Sequence, residues 1–138
     1  MNNIKIGTLC VIILLLIIPT IVLFSNPLRR SKGSIRKSIL SLTPLGTSMN
    51  DAINIIGSHE KWEIWNINNE GGYINYDFVV PSWPVSELSG LSVIGEKSIK
   101  AKIGKYGLII TTYVTASWGF DEDLKLIDVY VRKSMDVI

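Results

Sequence analysis

The chain has 138 residues, enough for one small domain plus an extra segment. Its 47% hydrophobic content and mean hydropathy of +0.32 are high for a wholly water-facing protein, while a formal net charge of +2 hides a sharp division. All six basic residues of the first 44 positions stand without an acid, whereas residues 45–138 hold eight basic and twelve acidic side chains, a balance that repels phosphates and argues against nucleic-acid binding.

The apolar excess is local. From Ile6 to Leu28 there is no charged residue, and "LCVIILLLIIPTIVLF" carries most of the weight. A run of roughly 20 apolar residues spans a hydrocarbon core of about 30 Å. Pro19 removes one backbone donor, which a membrane helix tolerates near its end. A cleaved signal peptide wants small residues before the cut, and Leu23 is too large for that position. A lipoprotein needs its cysteine after the apolar core, and Cys10 precedes most of it. The segment 1–28 therefore reads as an uncleaved single-pass anchor. Cys10 is the sole thiol, so the rest of the chain has neither disulfide nor thiol chemistry.

Residues 29–44 read as a basic juxtamembrane stem with a short helix over "SIRKSILSL", where Ile35, Ile39 and Leu42 share a face. Arg29, Arg30, Lys32, Arg36 and Lys37 are its expected contacts with anionic head groups, each worth about 1 kcal/mol at such a surface. By the positive-inside rule these charges place the domain in the cytoplasm. Short bacterial N-terminal anchors commonly have the opposite orientation.

The globular part is expected over residues 45–138. Ser48 and Asp51 resemble a capping box, Ala52, Ile55 and Ile56 form an apolar stripe, and Gly57 suits a helix stop. From residue 61 the apolar period shortens to 2. "KWEIWNIN" and "GYINYDFVV" flank "NEGG", a plausible hairpin turn, and "PSWPVSELSGLS" reads as a loop. In "SIKAKIG", Ile99, Ala101 and Ile103 oppose Lys100 and Lys102. In "LIITTYVTASW", Leu108, Ile110, Val114, Ala116 and Trp118 oppose Thr111, Tyr113, Thr115 and Ser117. In "LKLIDVYVRK", Ile127, Val129 and Val131 oppose Asp128, Tyr130 and Arg132. Such alternation predicts an α+β fold: two short helices packed on a four- to five-stranded antiparallel sheet with one wet face.

Candidate chemistry is sparse. Asp121, Glu122 and Asp123 lie between two alternating segments, where a hairpin needs turn formers, and they lack the alternate spacing and glycine of a calcium loop. "GLSVIGEKS" misses a phosphate loop because Glu96 stands between Gly95 and Lys97. His59, the one histidine, has no partner cysteine or second histidine for a zinc site. No metal, cofactor or catalytic residue is expected. Trp83, Tyr76 and Trp65 are the candidate protein-binding residues, since Trp and Tyr dominate interface energetics. The rival reading is a hydrolase using Asp121, Asp123 or Asp77, which would need two of those acids to converge in a cleft.

The order helix–helix–strands, opened by "LTPLGTSMNDAINIIG" and closed by "ASWGFDEDLKLIDVYVRK", resembles uncharacterised small single-pass bacterial membrane proteins. More distantly it resembles the BamE/SmpA family of outer-membrane assembly lipoproteins, which Gly46, Gly57 and the run Phe120 to Leu126 match. The chain departs from that family in lacking a lipobox cysteine, in placing Leu124 where a turn glycine belongs, and in "SVIGEKSIKAKIGKYG". The resemblance implies an extracytoplasmic domain that binds and does not catalyse. The expected function is thus a membrane-tethered interaction module of the bacterial envelope, with the bilayer and another protein as partners; an enzyme inhibitor or immunity-like protein is a second version of binding.

Overall fold

A computed structural model describes residues 13, 26–75, 92–107 and 110–137. The anchor segment, Tyr76, Asp77, Trp83 and Leu108 fall outside these residues. Among the described residues no helix is long and apolar enough to cross a membrane.

A short 3-10 turn over Pro27–Arg29 leads into helix α1, Lys32–Leu42. Ser31 caps it, its Oγ accepting the Ser34 N–H at 3.2 Å, and Ile35 and Ile39 are buried against the sheet. Helix α2, Met49–Ser58, begins at Ser48, whose Oγ accepts the Asp51 N–H at 3.1 Å and donates to the Asp51 carboxylate at 2.6 Å. It buries Met49, Ala52 and Ile56, while Ile55 is only half-buried. Gly57 does not stop this helix: it lies in the last turn, and His59 ends it with an extended backbone.

Four strands form one antiparallel sheet in the order β1 (Glu63–Asn68), β4 (Lys97–Tyr106), β5 (Ile110–Phe120), β6 (Leu126–Val137). Among the described residues the shorter β2 (Tyr73–Ile74) and β3 (Val93–Ile94) pair only with each other, and the expected hairpin through "NEGG" is not formed there. Strand β1 pairs with β4, which sets Ile64 opposite Ala101 and Ile67 opposite Ile99. Tyr73 is drawn instead across the back of the sheet, where its ring stacks on Tyr130 at 6.0 Å.

The helices cover one face of the sheet. Ile99, Ala101 and Ile103 from β4, Val114, Ala116, Trp118 and Phe120 from β5, and Leu126, Val129 and Val131 from β6 form a single core with them. Ile127 was expected in this set but is 43% exposed. A bulge between Gly119 and Phe120 pairs Gly119 with Asp128 and Phe120 with Leu126, so Leu126 takes the buried place that strict alternation would give Ile127. Ile110, at the start of β5, is also exposed.

The helix of segment 29–44 is part of this unit. Just past α1, the fully buried Thr43 donates to the Ile39 carbonyl at 3.1 Å and accepts the Trp118 indole N–H at 3.0 Å. Thr43 thereby ties α1 to the largest buried side chain of the sheet.

The second face is not wholly wet. Ser98, Thr115 and Tyr130 are buried there, as is Tyr73 of β2, whose ring stacks on Tyr130. The β2–β3 ladder comes close because residue 119 is glycine: a Cβ there would lie 2.9 Å from the Tyr73 ring and 3.0 Å from the Ile94 carbonyl oxygen.

Thr43→Val keeps the shape of the side chain but leaves the Trp118 N–H buried without a partner. Urea unfolding followed by tryptophan fluorescence should show a loss of about 2 kcal/mol. An unchanged midpoint would mean that this hydrogen bond does not couple α1 to the sheet.

Candidate functional site

The fold has two dissimilar ends. At the distal end the β5–β6 hairpin turns through the acidic triplet. The Asp121 carboxylate accepts the Lys125 N–H at 2.8 Å, as a turn residue does. Leu124 adopts the left-handed region, with φ 60°, and is the one described non-glycine residue to do so. Its carbonyl accepts the Met49 N–H at the start of α2, at 2.9 Å, and Leu126 and Thr47 pair across the same junction. The triplet therefore closes the end of the domain. Asp121, Glu122 and Asp123 border an open depression with Gly95, Glu96 and Ile127. Among the described residues no group of three metal-ligating side chains converges.

The acid with the densest set of partners is Asp128. The Arg36 guanidinium donates to Asp128 Oδ1 at 2.6 Å and, through Nε, to the Val129 carbonyl at 2.7 Å. Tyr73 donates its hydroxyl to Asp128 Oδ2 at 2.6 Å. Arg36, expected as a head-group contact, thus has a partner inside the domain. Burial, reinforced by the hydrogen bond to the Asp128 carboxylate and by its charge, holds the Tyr73 phenol well above its ordinary value near 10.

At the proximal end the chain comes in from residues 1–25 and is fastened at once. Asn26 Oδ1 accepts the Leu28 N–H at 3.0 Å. Lys133, from β6, donates to the carbonyls of Leu28 at 2.8 Å and Arg30 at 2.6 Å. The Tyr106 ring on β4 receives the Lys133 ammonium at 5.3 Å and the Arg29 guanidinium at 5.2 Å. Leu28 lies on Gly104, where a Cβ would come within 2.8 Å of it. Segment 26–30 is thus a strap held by two strands. Lys32 and Lys37 lie exposed on α1.

Beside the strap runs an open groove floored by Leu28, Trp62 and Ile103. One part, about 150 Å³, follows α1 past Ile35, Ile39 and Leu42. The other, about 630 Å³, is bordered by Lys61, Lys102 and Lys105. Trp62 is held between His59, 4.3 Å away, and Trp118, 6.1 Å away. The groove was not foreseen. The bulge between Lys102 and Gly104 breaks the alternation of β4 beside it, and Trp62 precedes the first strand.

Of the three aromatic binding candidates, the described residues place one. Trp65 sits at a bulge in β1 and is 49% exposed. Strand β1 is an edge of the sheet, with only β4 beside it among the described residues. Tyr76 and Trp83 lie outside those residues, as does Asp77. Comparison of the chain with protein-family models, curated proteins and solved structures gave no match.

Because the folded state raises the Tyr73 phenol, its contribution to stability is complete below pH 10 and is lost as pH rises above that value, where the unfolded chain sheds the proton first. Tyr73→Phe should unfold with a shallower dependence on pH between 10 and 12 than the parent chain. Equal slopes in urea titrations across that range would remove Tyr73 as a source of alkaline sensitivity.

Proposed function

We propose that the chain is a membrane-tethered, non-enzymatic protein-interaction module of the bacterial cell envelope. The observation that carries this reading is the strap. An uncharged apolar run of anchor length enters the domain at Asn26, and the next few residues are fastened to β4 and β6 by Lys133, Arg29 and Leu28. A pull on the anchor would pass directly into the sheet and would not peel α1 from the core. The resemblance to small single-pass bacterial proteins and, distantly, to BamE/SmpA lipoproteins supports an extracytoplasmic domain.

Binding in place of catalysis is supported by what the acids do. Asp121 serves a turn and Asp128 joins three elements. The surface offered to a partner is the outer side of β1, which has no strand neighbour among the described residues and carries the half-exposed Trp65. An inhibitor or immunity-like protein would offer that edge to its target enzyme.

The full chain should float with neutral phosphatidylcholine vesicles after an alkaline wash, and a periplasm-specific reporter fused after Ile138 should be active. Recovery in the aqueous fraction would overturn the tether. Activity of only a cytoplasmic reporter would reverse the orientation.

A photo-crosslinker at position 65 should capture one protein from intact membranes, and the same group at exposed Lys125 on the distal turn should not. Equal labelling from both positions would reject the β1 edge as the binding surface.

A further inference from the structure

We infer that the groove beside the strap seats one anionic phospholipid of the bilayer, its phosphate among the lysines and part of an acyl chain in the apolar cleft. This inference rests on the tether reading, which puts the proximal end of the domain beside a membrane.

The chemistry of the groove is that of an amphiphile with one negative end. Its narrow part is walled by Leu28, Trp62, Ile103, Ile35 and Ile39, and at about 150 Å³ it is the size at which an apolar protein cavity takes up benzene. Its wider part carries Lys61, Lys102 and Lys105, and Arg30 borders the narrow part. No acidic side chain among the described residues lines either part. Glu63 stands just outside, 3.6 Å from Lys102, and offsets one of the four charges. Lys61, Lys105 and Arg30 are exposed, and no ion pair engages them among the described residues.

Position selects the lipid over other anions. The groove shares Pro27 and Leu28 with the strap. In sequence the strap directly follows residues 1–25, a largely apolar stretch. A ligand lying there would be reached from the bilayer by its tail and would meet the lysines with its head. Free phosphate would use the lysines and leave the apolar cleft unfilled. Three of the four charges lie outside the stem: Lys61, Lys102 and Lys105 come from the β1–β4 side of the domain, and only Arg30 is shared with it.

Native mass spectrometry of the full chain in detergent tests the assignment, with phosphatidylglycerol and phosphatidylcholine of identical chains supplied together. The expected result is one phosphatidylglycerol retained per chain in clear preference to phosphatidylcholine. Lys61→Glu with Lys105→Glu should lower that retention at least about tenfold, given the usual worth of a basic residue at an anionic surface. Lys100→Glu with Lys125→Glu makes the same change in net charge away from the groove and should leave retention intact. Glycerol 3-phosphate, the head without a tail, should not displace the lipid.

Equal retention of both lipids, an equal loss in both double variants, or displacement by glycerol 3-phosphate would each overturn the site. Failure of the chain to float on neutral vesicles would overturn the tether alone. Selective phosphatidylglycerol retention by such a chain would still support the groove.

Discussion

The carboxylate of Asp128 is where elements from the two faces of the sheet meet. It sits on the edge strand β6, with its side chain only 27% exposed. One oxygen receives Arg36 from the helix side of the sheet and the other receives Tyr73 from the back. Hydrogen bonds to a charged group are stronger than neutral ones, and here two of them bring separate elements to one residue. Arg36 also donates to the Val129 carbonyl, occupying an acceptor that an outer strand would otherwise present. One acceptor on the edge next to α1 is thereby taken, while the opposite edge strand, β1, has no outer neighbour among the described residues.

That asymmetry has consequences for where function can lie. The distal end is shut by backbone pairing of residues 46–49 with 124–126. The Leu124 backbone there carries a cost of order 1–2 kcal/mol, offset by a side chain packed against the core and a carbonyl that receives the first N–H of α2. A glycine would relieve the backbone and lose that packing. Of the acids in the turn, Asp121 is held by a local hydrogen bond to the Lys125 N–H. What remains open is the β1 edge and the groove beside the strap, and Trp62 and Trp65 place the two next to each other.

The alternation of apolar residues made the central meander legible. Ile99, Ala101 and Ile103, then Val114, Ala116 and Trp118, then Val129 and Val131 are buried as a period of two requires. It failed at Ile127 because a bulge adds a residue to one strand, an event with no signature in hydropathy. It failed again at "NEGG", where local turn chemistry favoured a hairpin but Tyr73 is held by Tyr130 and Asp128, more than fifty residues away in sequence. Gly119 shows the same limit: the sequence presents a glycine inside a strand, and only the passage of Tyr73 over it gives the reason. The groove was illegible for a related cause, since Leu28, Trp62 and Ile103 belong to three segments with no common period.

The basic cluster after the apolar run holds charges that the folded domain itself uses. Five Lys and Arg residues between positions 29 and 37 look like a cytoplasmic retention signal. In the folded domain Arg36 pairs with Asp128 and Arg29 lies over Tyr106. Those two charges have a structural reason to be present, so their existence does not require an orienting role. An unfolded chain presents every charge to a translocation machinery, so pairing in the folded state does not cancel the rule. Its force is reduced, because a residue kept for folding is weaker testimony about topology than one with no other use. The strap adds to this: its carbonyls are held by Lys133, more than a hundred residues downstream, so the positive charge that fixes the incoming chain comes from the far end of the sheet.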